Sequence, residues 1–180
     1  MRKAKRWVKV LVGILLAVVL LVGAYVAYVF LDYHRIGDQE LAAQGEGGAT
    51  ALDTAASYSI LSYNIGFGAY EDDYGFFMDG GTGDGGTESW AWSEERLTEN
   101  LNHIADFLKG QADFCLVQEV DIDSTRSYHV DEREPLCDAR EGDSYVFAQN
   151  YDSPFLMYPL TQPHGASRSG LLTFAPVSLT

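Results

Sequence analysis

The sequence predicts an α/β domain preceded by one membrane-spanning helix. Three observations lead there: a charge-free apolar run near the N-terminus, an alternating stretch that suits a strand, and a helical period followed at once by a second apolar strand.

The apolar run, Val10 to Leu31, has 22 residues. That is long enough to cross a ~30 Å hydrocarbon core as a helix. Arg2, Lys3, Lys5, Arg6 and Lys9 precede it, and Asp32, Asp38 and Glu40 follow. The bias of positive charge toward the cytoplasmic side puts the N-terminus inside and the rest of the chain outside, in the cell membrane as a single-pass protein. Tyr25, Tyr28 and Tyr33 fall near the outer end, where aromatic rings favour the interface. A cleavable signal peptide is the competing reading. Its apolar core spans ~7–15 residues and ends in an A-x-A-like site, whereas Ala24 to Ala27 offers a poor one, so an uncleaved anchor is favoured.

Residues 32–56 are small, polar and rich in Gly and Ala beyond Ile36, and read as a flexible tether. The domain then spans 57–180. Tyr58, Ile60 and Ser62 alternate with Leu61, Tyr63 and Ile65, a strand ending near Asn64. Residues 66–89 carry eight glycines and six acids and read as a long loop, functional or mobile. Ser93 suits a helix N-cap, with Glu94 and Glu95 where the helix dipole favours acids. Leu97, Leu101, Ile104, Ala105 and Leu108 recur at helical spacing, and Gly110 closes the helix. A strand over 113–119 follows, and later strands are expected at 144–149, 154–158 and 170–175. Strand, loop, helix, strand is the rhythm of a parallel β-α-β unit.

Composition excludes some functions. The 171 residues after Lys9 hold seven basic and 26 acidic side chains, a net charge of −19. Such a body has no general attraction for a phosphate backbone, so no stable nucleic-acid complex is expected. Cys115 and Cys137 admit either a disulfide, in an exported domain, or buried thiols. Gly165–Gly170, "GASRSG", misses nucleophile-elbow spacing because Ser169 stands where Gly is needed. "DGGTGDGG", Asp79–Gly86, reads as a solvated turn and not as a Ca²⁺ repeat. His34, His103, His129 and His164 show no zinc spacing. His103 belongs on a helix surface, and His164 sits in a Pro/Gly loop.

The candidate site lies where two strand ends meet. Asn64 ends the first strand and Glu119 the second. In a right-handed β-α-β unit both ends lie at one sheet edge, where open α/β sheets bind ligands. A hard cation takes carboxylate, water and phosphate oxygens, so Glu119 is a candidate ligand, against the plainer reading of a solvated acid after a core strand.

"ILSYNIGFG" followed by "DFCLVQEVD" resembles the endonuclease/exonuclease/phosphatase superfamily, whose members open with a strand ending in T/S-x-N and continue with a D-(hydrophobic)-Q-E strand. "STRS" (124–127), "FAQNYDSPF" (147–155) and "SGLLTF" (169–174) look like its membrane-anchored bacterial branch. The resemblance implies a four-layer α/β-sandwich, of which this stretch is the N-terminal half. It implies a Mg²⁺- or Mn²⁺-dependent phosphoester hydrolase in which Glu119 and Asn64 form the metal and catalytic site. Glu119 would bind the ion, and Asn64 would lie beside it and orient Glu119 or the phosphate. The substrate would be a small-molecule, lipid-headgroup or nucleotide phosphoester. Asp121 has no family role. Arg126 stands as a surface ion pair or a phosphate contact, and His164 also as a possible phosphate contact. No D-x-N or S-D-H follows residue 120, so the resemblance covers only the first part of the family's site. The expectation is an N-terminal fragment, inactive alone. The alternative is a non-catalytic membrane-anchored surface or binding module.

The topology is directly testable. In a chain with both native cysteines replaced by serine, Gln39→Cys should react with a membrane-impermeant thiol reagent on intact cells. Protection until lysis would reverse the orientation.

Overall fold

The computed structural model describes residues 2–45, 47–48, 51–79 and 86–178. It divides into two units, Met1–His34 and Arg35–Thr180. The first is a single helix, α1, Arg2–Asp32. Within Lys5–Asp32 an 18-residue window reaches a mean hydropathy of 2.9, and the helix is long and apolar enough to span a membrane.

The second unit is a mixed α/β fold on one four-stranded sheet. Its elements are β1 (Ile60–Asn64), α2 (Glu94–Leu108), β2 (Phe114–Asp121), α3 (Arg133–Ala139), β3 (Ser144–Leu156) and β4 (Gly165–Ala175). The strand order is β1-β2-β4-β3. β1 and β2 are parallel neighbours joined through α2, with Asn64 opposite Gln118, as the β-α-β rhythm requires. β4 pairs antiparallel with both β2 and β3.

α2 begins and ends where its sequence directs. The Ser93 side chain accepts a hydrogen bond from the Arg96 backbone N–H at 3.1 Å. Gly110, at φ +69°, turns the chain out of the helix in a conformation other residues resist. Leu97, Leu101, Ala105 and Leu108 form its buried stripe. They pack in one core with Leu61, Cys115, Val117, Leu172 and Phe174 from the strands and Leu136 from α3. Arg140, just after α3, ties the layers together. It donates to the carbonyls of Leu108, Ala112 and Asp113 at 3.0–3.2 Å, placing a cation over the C-terminal end of α2. Cys115 is buried and Cys137 half-buried; both are free thiols.

Residues of the alternate set point away from these helices. Ile60, Leu116 and Leu171 remain 70%, 38% and 39% exposed. The sheet therefore has one covered face and one open face.

Four expectations need correction. The strands at 144–149 and 154–158 are one strand, β3, which stays paired to β4 through irregularities at Gln149/Tyr151 and Ser153/Leu156. Pro154 lies at the second, where a residue without an N–H is tolerated. β4 starts at Gly165, earlier than 170. The tether is not free throughout. Gln44 and Tyr145 exchange two backbone hydrogen bonds of 2.8 Å, and the Gly47 N–H donates to Ser144 Oγ at 2.9 Å. A Cβ on Gly47 would lie 2.1 Å from the Val177 carbonyl carbon, so glycine is needed for that approach. Finally, the described part of 66–89 is packed. Its glycines and acids drew attention from Phe67, Tyr70, Tyr74, Phe76 and Phe77, which form an edge-to-face cluster with centroids 4.8–6.2 Å apart. Phe67 and Phe76 are buried. The turn Asp79–Gly86 lies outside the described residues except at its two ends.

Leu97 is wholly buried at the α2–sheet junction. Leu97→Ala should cost about 2–5 kcal/mol in urea unfolding. Leu160→Ala, at an 82% exposed position, should change stability by less than about 0.5 kcal/mol.

Candidate functional site

The site is built on an irregularity in β2. Val117 pairs with Leu172, but Val120 pairs with Gly170, so β2 carries one extra residue against β4 between these points. Such a bulge bends the strand and re-aims a side chain. Glu119 takes up the distortion at φ +57°, a left-handed conformation unusual for a residue with a Cβ. A strained backbone of this kind costs of order 1–3 kcal/mol and persists only where its surroundings hold it.

The surroundings are the end of β1. Asn64 Nδ2 donates to Glu119 Oε1 at 2.9 Å, while Asn64 Oδ1 accepts from the Gly66 backbone N–H at 2.8 Å. The Ile65 N–H donates to the Gln118 carbonyl at 3.1 Å, continuing the parallel ladder to the bulge. The Gly66 position (φ +54°) has no room for a Cβ, which would sit 2.3 Å from the Tyr70 ring. The structure therefore brings Asn64 and Glu119 together. Both ends of the Asn64 amide are engaged, so its orientation relative to Glu119 is fixed.

Two clefts, of about 570 and 540 Å³, flank this pair, and Asn64, Tyr70, Asp79 and Glu119 line both. Tyr70 donates to Asp79 Oδ2 at 2.6 Å. Burial, and then the bond to Asp79, raise the Tyr70 phenol above its ordinary value. The second cleft is also lined by Arg126, Asn150, Ser169 and His164.

Asp121 and Arg126 differ from expectation. Asp121 is the last residue of β2, not a residue beyond it, and it is wholly buried. Its carboxylate accepts from Arg126 Nε and Nη2, both at 2.9 Å, and from Ser127 Oγ at 3.0 Å. Arg126 is thus in a buried, two-pronged ion pair and not on the surface, and its guanidinium carbon lies 3.9 Å from the Phe67 ring centroid. Spacing gave no hint of this. The pair forms because the turn at Thr125–Ser127 folds back on the strand end.

Glu132 is also wholly buried. Its Oε2 accepts from the Asp121 N–H at 2.8 Å, while Oε1 has no partner among the described residues. Burial, reinforced by the Asp121 charge, drives its carboxyl well above the usual range. His164 is buried rather than an open loop residue. Nε2 lies 3.3 Å from Ser167 Oγ, and Nδ1 makes no well-formed hydrogen bond among the described residues, although the Ser89 backbone lies close enough to favour the protonated ring. Desolvation, then the Arg126 charge, push its pKa down to about 4, so the ring is neutral at physiological pH. His103 is exposed on α2, as its position in the helical period implies.

The sequence resemblance implies a divalent cation beside Glu119 and Asn64. Among the described residues, no three His, Cys, Asp or Glu side chains cluster as a closed metal cage. A hydrated Mg²⁺ needs less: one or two carboxylates, with water and phosphate oxygens completing its shell. Glu119, with Oε1 fixed by Asn64 and Oε2 unengaged among the described residues, fits that requirement, and Asp79 lines the same clefts.

Compared with models of protein families, with curated proteins and with solved structures, the chain matches none. The chemistry is therefore read from its own residues.

The buried Glu132 gives a signed prediction. Its folded pKa is raised, so the native state holds a proton that the unfolded state releases above about 4.5. Stability is full below that pH and falls as pH rises toward the native value. Glu132→Gln cannot ionise. In urea unfolding, its stability relative to wild type should rise with pH from about pH 4.5. A pH-independent difference would mean that Glu132 titrates normally.

Proposed function

We propose that the chain belongs to a membrane-anchored, extracytoplasmic, metal-dependent phosphoester hydrolase of the endonuclease/exonuclease/phosphatase type. One observation carries this reading. Glu119 is held in a strained left-handed conformation at a bulge, and Asn64 from the neighbouring parallel strand fixes its carboxylate in a cleft. A solvated acid after a core strand would need neither the strain nor the clamp. Two further features agree with it. The motifs S-x-N and V-Q-E-V-D supply this pair in the order that the family resemblance implies. The open sheet face with Ile60, Leu116 and Leu171 suits a second layer, as in a four-layer sandwich.

On this reading Glu119 would hold Mg²⁺ or Mn²⁺ through the oxygen that Asn64 leaves free. When bound, the ion supplies Lewis-acid neutralisation of charge developing on phosphoryl oxygens. Asn64 fixes the direction of the carboxylate, and so the position of whatever it binds. Tyr70 stays protonated and, with Asp79, lines the cleft beside the clamp. Substrates with compact phosphate groups, such as small phosphoesters, lipid headgroups or nucleotides, suit the clefts better than duplex DNA does.

Glu119→Gln should weaken Mn²⁺ binding measured by electron paramagnetic resonance. It should also lower metal-dependent phosphodiester hydrolysis by ~10²–10³-fold wherever the protein is active. Asn64→Ala should cost less, because it removes the clamp and leaves the charge. Asp123→Asn, an exposed acid paired with His129 and Arg168, should match wild type in both assays. Undiminished Mn²⁺ binding by Glu119→Gln would refute the assignment.

A further inference from the structure

We propose that the second cleft takes a phosphate ester whose alcohol part is apolar, its phosphoryl oxygens meeting Arg126 and His164 on the floor and its alcohol lying against Phe76, Met78 and Leu171. The proposal rests on the phosphoester reading above and extends it to substrate class.

Arg126 and His164 lie deep in the cleft, and at its mouth Met78 and Leu171 stand beside the exposed Asp79, Asn150 and Tyr151. Arg126 and His164 line it at 9% and 2% exposure, whereas Met78 and Leu171 are 61% and 39% exposed. Arg126 uses one edge of its guanidinium on Asp121, through Nε and Nη2. Its Nη1 donates to no acceptor among the described residues. A guanidinium present only to neutralise Asp121 would not need to leave that donor at a cleft. The Phe67 ring beneath it fixes its plane, and a planar fork held in this way suits phosphate oxygens better than a mobile ammonium does. His164 is the second, independent feature. Its ring is buried, it lines the same cleft, and its Nδ1 lacks a well-formed hydrogen bond. A buried polar atom without a partner is uncommon in a folded protein, and a small turn of the ring would bring it to a ligand oxygen. Glu119 lines the cleft as well, so the residue that would hold the proposed cation and the Arg126 donor share one cleft. Asp121 already cancels the Arg126 charge, so Arg126 contributes directed hydrogen bonds more than net attraction.

The apolar part explains why so many rings surround the site. Phe76 and Phe77 pack on His164 with centroids 5.6 and 5.9 Å from it, and Met78 continues that strip toward solvent. A flexible thioether at a cleft mouth adapts to apolar ligands of varied shape.

The test uses the whole chain in detergent with inorganic phosphate and phenyl phosphate as probes, titrated calorimetrically in Mg²⁺ and again in EDTA. Wild type should bind phenyl phosphate about tenfold more tightly than phosphate. Met78→Ser and Leu171→Ser, both at exposed positions, should shrink that ratio and leave phosphate affinity unchanged. Arg126→Lys and His164→Gln, with folding verified by near-UV circular dichroism, should weaken both probes and preserve the ratio. Equal affinity of wild type for the two probes, or a folded Arg126→Lys that binds both as wild type does, overturns the proposal. If Arg126→Lys weakens both probes while Glu119→Gln and EDTA leave them unaffected, this subsite stands and the metal reading falls.

Discussion

The extra residue in β2 governs both halves of the site. Val117 and Val120 are three apart and would face opposite sides of a regular strand, yet both are buried in the core. The bulge reconciles them, because one residue is absorbed between their pairings to Leu172 and Gly170. That residue is Glu119, turned out of the ladder at positive φ. The same shift sets Asp121 opposite Ser169 and within reach of Arg126. Two apolar anchors therefore pin a distortion whose consequences are polar, and the core stabilisation of Val117 and Val120 offsets the backbone strain.

Around this strand end, separate segments converge on the Asp121–Arg126 pair. Phe67, from the segment after β1, stacks under the guanidinium. The Arg126 carbonyl accepts from the Ala91 N–H at 2.9 Å, fixing the approach to α2. Trp90 and Ser89 in turn hold Pro163 and Gln162, beside His164. Removing one partner of a buried ion pair costs about 3–5 kcal/mol because the other is left uncompensated. A pair so placed is better suited to specifying one arrangement of these segments than to adding stability, and that arrangement is what forms the second cleft.

How much of this could be read from the sequence follows the range of the interactions. β1, α2 and β2 were legible because their signals are local: alternation through 60–64, the Ser93 cap, the leucine period and the Gly110 stop. Parallel pairing then placed Asn64 beside Glu119 without any need for detail. The bulge was not legible, since nothing in "CLVQEVD" says which residue will leave the ladder. Asp121 and Glu132 were missed for a related reason. Exposed and buried acids look alike in a sequence, and burial here depends on contacts five to eleven residues away across a turn. The docking of Gln44 on Tyr145 spans 101 residues, and a Gly/Ala-rich composition conceals it.

Electrostatics sets the terms on which such a cleft can bind an anion. Outside the N-terminal cluster there are seven basic side chains. Arg96, Lys109, Arg126, Arg133, Arg140 and Arg168 each lie within 4 Å of a carboxylate. Arg35 stands at the very start of the second unit. The acidic side chains outnumber them by 19, so the surface field does not steer phosphoesters inward. Attraction must then be generated locally, where screening and distance count least. On the proposed reading, a divalent ion on Glu119 would add two positive charges at the cleft, and the directed donors of Arg126 and His164 would then select an oxyanion without contributing to the long-range field. Cation and anion would bind with positive, reciprocal coupling. An acidic exterior would thereby be compatible with an anionic substrate, and it discourages polyanions, whose remaining charges would lie against the acidic surface and not in the cleft.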